Sequence, residues 1–410
     1  MQLKNFKNLE TIALASSCSG LKPPRTLISK VTAIAIVASN ALYAENYVAV
    51  EFLQYDENNN RVSVSAPSLS ASYDIGMDYT IKADIVHDSV TGATPVWQPD
   101  SASGASSRDN SGDYSYKNQN FEEGRNAGSV MLTTRFANRD ELYTGFDYSR
   151  ESDFDSKAVS AEYMHYTDTS HNQSINVGVS FAFNEILSNS LDGQNKYKDD
   201  DDDNEYDSHS GASQKEDATS LNIQAGISQV LNDHSALKVE GFAILDSGYL
   251  TNPHANVVRN YGTANQQLVT ENRPDSRTAY GLNLKYITML GENISYKANY
   301  RLYSDDWDVT SHTIDQDLYY TLNKKITLGA GFRFYTQSEA NFYNPEKNFF
   351  TNQEFASSDE RLSSFDAMTY KASIDFKQSD TISYNLGGEF YSQSTGLDAT
   401  MFTAGMKYRF

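Results

Sequence analysis

Hydrophobic and polar residues alternate along most of the chain, in segments of about ten residues. Alternation places every second side chain on one face of a strand, and about ten residues is the length that a tilted strand needs to cross a bilayer. The pattern is clearest in ISYKANYRLY, where Ile294, Tyr296, Ala298, Tyr300 and Leu302 share one face. The predicted strands are 47–55, 61–74, 78–88, 126–137, 141–151, 156–167, 172–184, 218–231, 235–249, 276–288, 293–305, 309–322, 326–337, 363–377, 381–393 and 399–410.

The predicted connections sort by length when residue 47 is placed on the periplasmic side. The periplasmic turns are then short: 75–77, 138–140, 168–171, 232–234, 289–292, 323–325 and 378–380. The long connections are all external: 89–125, 185–217, 250–275 and 338–362. Outer-membrane barrels combine short periplasmic turns, long external loops and an even number of strands. The sequence therefore predicts an all-β fold over residues 45–410, a closed antiparallel transmembrane β-barrel of about 16 strands, with 14 as the alternative.

The chain ends on FTAGMKYRF, in which Phe402, Met406, Tyr408 and Phe410 fall on one face. An apolar stripe at a terminus is unfavourable in water, whereas the last strand of a closed barrel is paired and turns its stripe to lipid. A secreted β-sandwich or propeller would bury the stripe but would not explain the sorting of the loops. A terminal Phe with an aromatic residue two places earlier resembles the signal read by the barrel assembly machinery. These four residues are the predicted assembly signal, and that machinery is a predicted partner.

The N-terminal region contains RTLISKVTAIAIVASNALYAENY, with two basic residues, an apolar run and small residues after it. This order predicts a secretory signal peptide over residues 1–44, cleaved after Ala44 or, as a second choice, after Ala41. The polar stretch that precedes the apolar run is unusual for such a signal. A start codon assigned too early explains it, and a lipoprotein signal ending at Cys18 is the alternative.

The overall composition is polar, with a formal net charge of -21 and a mean hydropathy of -0.58. A membrane barrel has this average because only alternate residues of each strand face lipid. The 28 Tyr and 20 Phe, against 2 Trp, are enough for aromatic girdles at the membrane interfaces. Removal of residues 1–44 takes away five basic residues, one acidic residue and the only Cys. The mature chain therefore forms no disulfide, and its acidity disfavours nucleic acid as a partner.

One stretch, YDENNNRVSVSAPSLSASYDIGMDYTIKADIVHDSVTGATPVW, combines an Arg-Val-x-Val strand at Arg61–Val64 with a segment from Asp84 to Pro95 that runs through Ser/Thr-Gly-Ala-Ser/Thr-Pro. This arrangement resembles the opening of a family of Gram-negative outer-membrane β-barrel proteins catalogued as a domain of unknown function. The resemblance implies a barrel over nearly the whole mature chain, located in the cell outer membrane. It implies no reaction, because the family has none assigned.

The motif residues Asp84, Asp88, Thr91, Gly92 and Pro95 come where the third strand is predicted to leave the membrane. Asp and Thr side chains bond nearby backbone amides, Gly permits a positive φ, and Pro stiffens the exit. The pattern therefore predicts a structured turn at the rim. The alternative is that the loop 89–125 folds inward and narrows the lumen.

The inner wall is the predicted functional surface. The residues predicted to face the lumen and set its selectivity are Lys285, Lys297, Arg301, Arg333, Asp147 and Glu162. Lys371 and Lys407 would extend the basic wall, and the opposite wall would be mixed in sign. Opposed charges create a transverse field that selects small polar solutes or ions. The alternative is that these charges pair with one another in a closed, hydrated interior.

No Gly-x-Ser-x-Gly, His-Glu-x-x-His or metal-ligand spacing is present in the sequence, so we expect no enzyme activity and no cofactor. The acidic run Asp199, Asp200, Asp201, Asp202 and Asp203 is predicted to be a solvated loop tip, with diffuse divalent-cation binding as the alternative. The functional prediction is a passive porin-like channel or substrate-specific transporter. The alternative is a non-conducting barrel that anchors partner proteins of the cell envelope, and a barrel enzyme is the least favoured hypothesis.

Overall fold

The computed structural model describes residues 46–99, 114–188, 214–344 and 353–410. Sixteen antiparallel strands close into one barrel, and a separate two-stranded sheet lies between the ninth barrel strand and the next. The strands are β1 (Tyr47–Glu57), β2 (Val62–Ile75), β3 (Tyr79–Pro99), β4 (Tyr114–Arg135), β5 (Glu141–Arg150), β6 (Phe154–Tyr166), β7 (Gln173–Ser188), β8 (Gln214–Asn232), β9 (Ser235–Gly248), β10 (Asn256–Arg259), β11 (Gln267–Thr270), β12 (Ser276–Met289), β13 (Ile294–Asp305), β14 (Thr310–Asn323), β15 (Ile326–Gln337), β16 (Phe365–Lys377), β17 (Ile382–Gln393) and β18 (Asp398–Arg409). The predicted signal peptide, residues 1–44, and the acidic run at 199–203 lie outside the described residues.

The barrel is closed by pairing between the first and last strands. Tyr47 lies opposite Arg409, and the pairing continues along β1 and β18 until Glu57 lies opposite Ala399. Closure leaves no barrel strand with an unpaired edge. The predicted sixteen-strand antiparallel barrel is confirmed, and the fourteen-strand alternative is wrong. In the part of the chain that the structure describes, no helix is long and apolar enough to cross a membrane.

The outer face of the barrel is a continuous apolar surface. Ile85 is 61% exposed, Phe183 60% and Leu386 47%, and each occupies an outward position of its strand. The C-terminal stripe has the same orientation, since Phe402, Met406, Tyr408 and Phe410 are all exposed. Soluble monomers rarely expose large contiguous apolar patches. An apolar exterior around a polar interior is the arrangement of a barrel that is solvated by lipid.

The two ends of the barrel differ. At one end, here named the turn end, strands are joined by tight connections such as 76–78, 233–234 and 324–325. The long connections 249–275 and 338–364 lie at the opposite end, here named the loop end.

Strands β3 and β4 are longer than predicted. Their pairing begins with Tyr79 opposite Thr134 and continues to Pro99 opposite Tyr114. The prediction of a loop over 89–125 is therefore wrong for the residues described, because 89–99 and 114–125 form a paired hairpin. Beyond the lipid a hairpin still needs its backbone pairing but no longer needs an apolar face, so the hydrophobic alternation that marks the membrane strands is missing.

The two long connections at the loop end fold together. Strands β10 and β11 pair from Asn256 opposite Thr270 to Arg259 opposite Gln267, so the predicted loop 250–275 contains a hairpin. A bridge between Asn272 and Ala356 joins this connection to the one between β15 and β16. The described residues of 249–275 and 338–364 are named the cap.

The cap packs into the mouth of the barrel. Its residues Leu250 and Phe342 belong to one buried apolar cluster with Phe154, Ile186 and Ala218, which stand on the inner faces of β6, β7 and β8. Strand β10 also lies against β3, several strands away around the barrel. The cap thus reaches from its own connections across the loop end.

Candidate functional site: the lumen and its cap

The strand register places every predicted selectivity residue on the inner wall. Positions next to exposed apolar residues along each strand point inward, because side chains alternate between the two faces. Arg301 lies opposite Asn283 and Thr313, Lys285 opposite Lys238 and Asn299. The charged residues of the inner wall include Lys82, Asp84, Arg135, Asp147, Glu162, Lys238, Glu240, Lys285, Lys297, Arg301, Arg333, Lys371 and Lys407.

Part of the predicted basic wall is neutralised by carboxylates. Arg333 Nε lies 2.6 Å from Asp315 Oδ1, and Lys371 Nζ lies 3.3 Å from Asp315 Oδ1 and 3.2 Å from Asp317 Oδ1. Sequence reasoning missed the two Asp residues, although they stand at alternate positions of β14 with inward parity. Arg333 and Lys371 therefore have carboxylate partners, as in the alternative in which the inner charges pair with one another.

The acidic candidates differ in their surroundings. Glu162 accepts hydrogen bonds from Asn176 Nδ2 at 2.9 Å and from Gln224 Nε2 at 3.0 Å, so side-chain amides satisfy its carboxylate. Glu240 pairs with Lys238 at 2.5 Å. Asp147 is paired through its backbone with β4 and β6, and its carboxylate makes no hydrogen bond or ion pair with any described residue. Charges of both signs therefore line this wall, and side-chain amides satisfy the hydrogen-bonding capacity of some of its carboxylates.

Three cations on two neighbouring strands form no ion pair with a described carboxylate. Among the described residues, Lys285 on β12 and Lys297 and Arg301 on β13 form no ion pair within 4 Å. Lys285 lies opposite Asn299 of β13, and Lys297 and Arg301 stand two residues before and after Asn299. The order of the three charges along the barrel axis is therefore Lys297, Lys285, Arg301. This group is named the cation column. Asp317 lies opposite Lys297 without forming an ion pair with it, so the column presents net positive charge to any solute in the lumen.

The rim residues do not form the predicted turn. Asp84 lies on the inner wall with Lys82 Nζ at 3.4 Å, and Asp88 forms a buried ion pair with Arg125 of β4. Thr91 is exposed. Gly92 and Pro95 lie opposite Phe121 and Asn118 in the β3–β4 pairing. The turn prediction is wrong because these residues continue the β3–β4 hairpin. Arg125 was missed because its pairing with Asp88 depends on the strand register.

Histidine and aspartate residues that are near each other in sequence are separated by the strand geometry. His312 Nδ1 lies 2.8 Å from the Tyr300 hydroxyl on the outer face, whereas Asp315 points inward. His87 Nδ1 lies 2.9 Å from Asn126 Oδ1 on the outer face, whereas Asp88 points inward. An odd sequence separation within one strand places two side chains on opposite faces.

The cap contains a buried charge network. Arg273 lies 2.5 Å from Glu271 Oε1 and 2.7 Å from Asp359 Oδ2, and Arg361 Nε donates to Asp359 Oδ1 at 2.7 Å. Burial alone would raise the pKa of the Asp359 carboxyl, but the Arg361 and Arg273 guanidinium groups outweigh it and hold that pKa well below its usual range. Ser357 Oγ also donates to Glu271. The network ties both long connections into one unit.

Polar contacts fasten the cap around the mouth. Arg61, in the connection between β1 and β2, lies 3.3 Å from Glu360. His254 Nε2 lies 2.5 Å from Asp153 Oδ2 in the connection between β5 and β6. Glu123, Glu151 and Asp153 bring carboxylate oxygens within 4.8 Å of one another at the same edge, and His254 links the cap to this group.

Solved structures with similar folds are outer-membrane barrels. The CymD monoaromatic hydrocarbon channel matches with a TM-score of 0.42 and 7% identity, over 90% of this chain and 89% of that one. OmpT, an outer membrane protein of Vibrio cholerae, matches with a TM-score of 0.43 and 8% identity, over 89% and 97%. The outer membrane protein OpdK of Pseudomonas aeruginosa matches with a TM-score of 0.42 and 8% identity, over 90% and 98%.

The sequence matches no curated protein. A family model does match, over residues 13–406, and its description is a protein of unknown function, DUF3570. This match extends over nearly the whole chain and ends at residue 406, within the last barrel strand. The chain belongs to the DUF3570 family of proteins of unknown function.

Proposed function

We propose that this protein is a passive channel for small polar solutes in the outer membrane, without enzymatic activity. The cation column carries the proposal, because Lys285, Lys297 and Arg301 form no ion pair with a described carboxylate on the wall of a sixteen-strand barrel. A barrel of this size has room for an aqueous lumen. Charges without a structural partner act on whatever enters the lumen, and this column favours anions.

Membrane lipid and the barrel assembly machinery are the partners that the proposal implies. The apolar exterior supports contact with lipid, and the exposed C-terminal stripe supports recognition by the assembly machinery. In this arrangement the loop end, with the cap, faces outside the cell, and the turn end faces the periplasm.

The test is ion conductance of the purified barrel in a planar bilayer with a salt gradient. We expect steady conductance and a reversal potential that favours anions. The triple variant Lys285→Gln, Lys297→Gln, Arg301→Gln should lower the ratio of anion to cation permeability by about tenfold at low ionic strength, and by less as salt screens the charges.

The matched control replaces exposed lysines of the turn between β14 and β15, as Lys324→Gln with Lys325→Gln. These side chains lie outside the lumen, so their loss should leave selectivity close to the wild type. A permeability ratio that falls equally in both variants would assign selectivity to general surface charge and refute a role for the column.

A second function, a non-conducting barrel that anchors partner proteins, is favoured by one observation. The cap packs apolar residues against the inner faces of β6, β7 and β8, and a filled mouth restricts passage. Under this alternative the folded barrel is silent in the bilayer, and it stays silent when the cap is loosened.

A further inference from the structure

The cations of the column have different neighbouring side chains from the other cations of the inner wall. Arg333 and Lys371 lie against Asp315 and Asp317, which is the usual structural arrangement for a half-buried cation. Among the described residues, Lys297 and Arg301 form no ion pair within 4 Å, although Asp317 lies opposite Lys297, and each of the two cations faces an aromatic ring. The guanidinium of Arg301 lies 4.7 Å from the centre of the Phe242 ring, and Lys297 Nζ lies 5.1 Å from that of Tyr319.

Each of these rings lies against a glycine of the next strand. A Cβ at Gly281 would collide with the Phe242 ring and with the Leu302 backbone oxygen, and a Cβ at Gly329 would collide with Ser373 Oγ and come within 3.0 Å of Tyr319 Cε1. A side chain at either position would therefore crowd the ring among other atoms, so glycine leaves room for the ring to lie close to the wall. A ring supports a cation through its face without cancelling the charge. The column is therefore held in place and remains available to an anion.

Two side-chain amides alternate with the cations. Asn283 lies opposite Arg301, and Asn299 lies opposite Lys285. Their Oδ1 atoms are buried and have no hydrogen-bond partner among the described residues. A buried amide with unmet hydrogen-bonding capacity costs free energy, and hydroxyl groups of a ligand can meet that capacity after a small rotation of the side chain. The column thus combines positive charge with amide groups.

The dimensions of the column suit a chain-like solute. Lys297 and Arg301 are four residues apart on one strand, a separation of about 13 Å. Lys285 is the diagonal neighbour of both, at about 7–8 Å. An anion moving along the axis meets one cation after another, and several weak sites in series permit both entry and release.

We propose that Lys285, Lys297 and Arg301, with Asn283 and Asn299, form a track that binds small hydroxylated carboxylates. The inference rests on the proposed channel function and names its substrate class. The carboxylate is bound by the cations and the hydroxyl groups by the amides. Phe242 and Tyr319 are positioning residues, since they act through the cations.

The test uses gluconate as the probe and sorbitol, a polyol of equal length without the carboxylate, as the uncharged comparison. Single-channel potassium chloride current is recorded while either compound is added. We expect gluconate, but not sorbitol, to interrupt the current at low concentration. The Lys285→Gln, Lys297→Gln, Arg301→Gln variant should raise the half-blocking gluconate concentration by about tenfold or more. The Lys324→Gln, Lys325→Gln control should leave it unchanged.

A further variant, Phe242→Leu, keeps all three cations and removes one ring. It should raise the half-blocking gluconate concentration by a smaller factor than the triple variant does. Folding of each variant is checked by the change in gel mobility that heating produces in a folded barrel. This check distinguishes an unfolded variant from a folded variant that has lost gluconate binding.

The outcomes separate this inference from the channel function. If the barrel conducts but gluconate blocks the current no more strongly than sorbitol, the track is refuted and the channel function stands. The same conclusion follows if gluconate blocks the wild type and the triple variant equally. A silent barrel refutes conduction, and equilibrium dialysis of labelled gluconate against the folded protein then decides the inference. Retention that the triple variant loses supports the track, and no retention overturns it.

Discussion

Replacing Arg273 with methionine is expected to release the cap from the mouth while the sixteen barrel strands stay paired. Arg273 is 4% exposed and lies between Glu271 and Asp359. Removing one member of a buried ion pair leaves an uncompensated charge and costs about 3–5 kcal/mol. Because the network joins only the two long connections, the cost falls on the cap, and the barrel keeps its own pairing.

The first measurement is the rate of trypsin cleavage at Arg259, in the β10–β11 hairpin. The Arg273→Met variant should be cut about a hundredfold faster, the factor that corresponds to about 3 kcal/mol of lost local stability. The second measurement is bilayer conductance, which should rise because the apolar cluster no longer occupies the mouth. A released cap with unchanged conductance would mean that the cap does not restrict the pathway.

The matched control removes an exposed ion pair at the turn end. Lys377 Nζ lies 2.8 Å from Asp380 Oδ1, with the two side chains 48% and 97% exposed. Such an exposed pair is screened by water and contributes little to stability, so Lys377→Met should change neither cleavage at Arg259 nor conductance. Equal effects of both substitutions would contradict the role assigned to the buried network.

A charge placed on the outer face of β17 is expected to destabilise the barrel in lipid far more than the same charge one residue away. Leu386 points outward near the middle of its strand, and Asn385 points inward beside it. Arginine on the lipid face near the midplane costs about 2–4 kcal/mol. Asn385→Arg instead places the charge on the inner wall opposite Asp375, whose Oδ2 has no hydrogen-bond partner among the described residues.

The measurement is urea unfolding of the two variants in lipid vesicles, followed by tyrosine fluorescence. Leu386→Arg should lower the free energy of unfolding by about 2–4 kcal/mol, while Asn385→Arg should leave it within about 1 kcal/mol of the wild type. The same side chain is introduced at two neighbouring positions of one strand, so a difference in the free energy of unfolding reports the environments of the two faces. An equal loss in both variants would refute lipid contact of the outer face.

Much of the barrel could be predicted from the alternation of side chains. Sixteen segments and their short turns follow from local sequence, because each membrane strand must present an apolar face to lipid and a polar face to the lumen. The same parity correctly implies the inward position of Arg301 and the outward position of Phe402. The predicted rim turn at Asp88 to Pro95 is wrong because a hairpin outside the lipid needs no apolar face.

The partners of the inner charges depend on register. The pairing of Arg333 with Asp315, and the absence of such a partner for Arg301, follow from which residues lie opposite on neighbouring strands. Those relations require the position of each strand along the barrel axis, which periodicity alone does not determine. Two cations of the expected basic wall, Arg333 and Lys371, are thereby neutralised.

The sequence by itself determined the fold class, the number of barrel strands and the face on which each membrane residue stands, because all three depend on a local period of two. Only the tertiary structure decided which cations are neutralised, which rings support the others, and how the two long connections join into a cap. These features arise from contacts between distant segments, such as Arg61 with Glu360 and Arg273 with Asp359. Their energies depend on closure of the barrel, which brings those segments together.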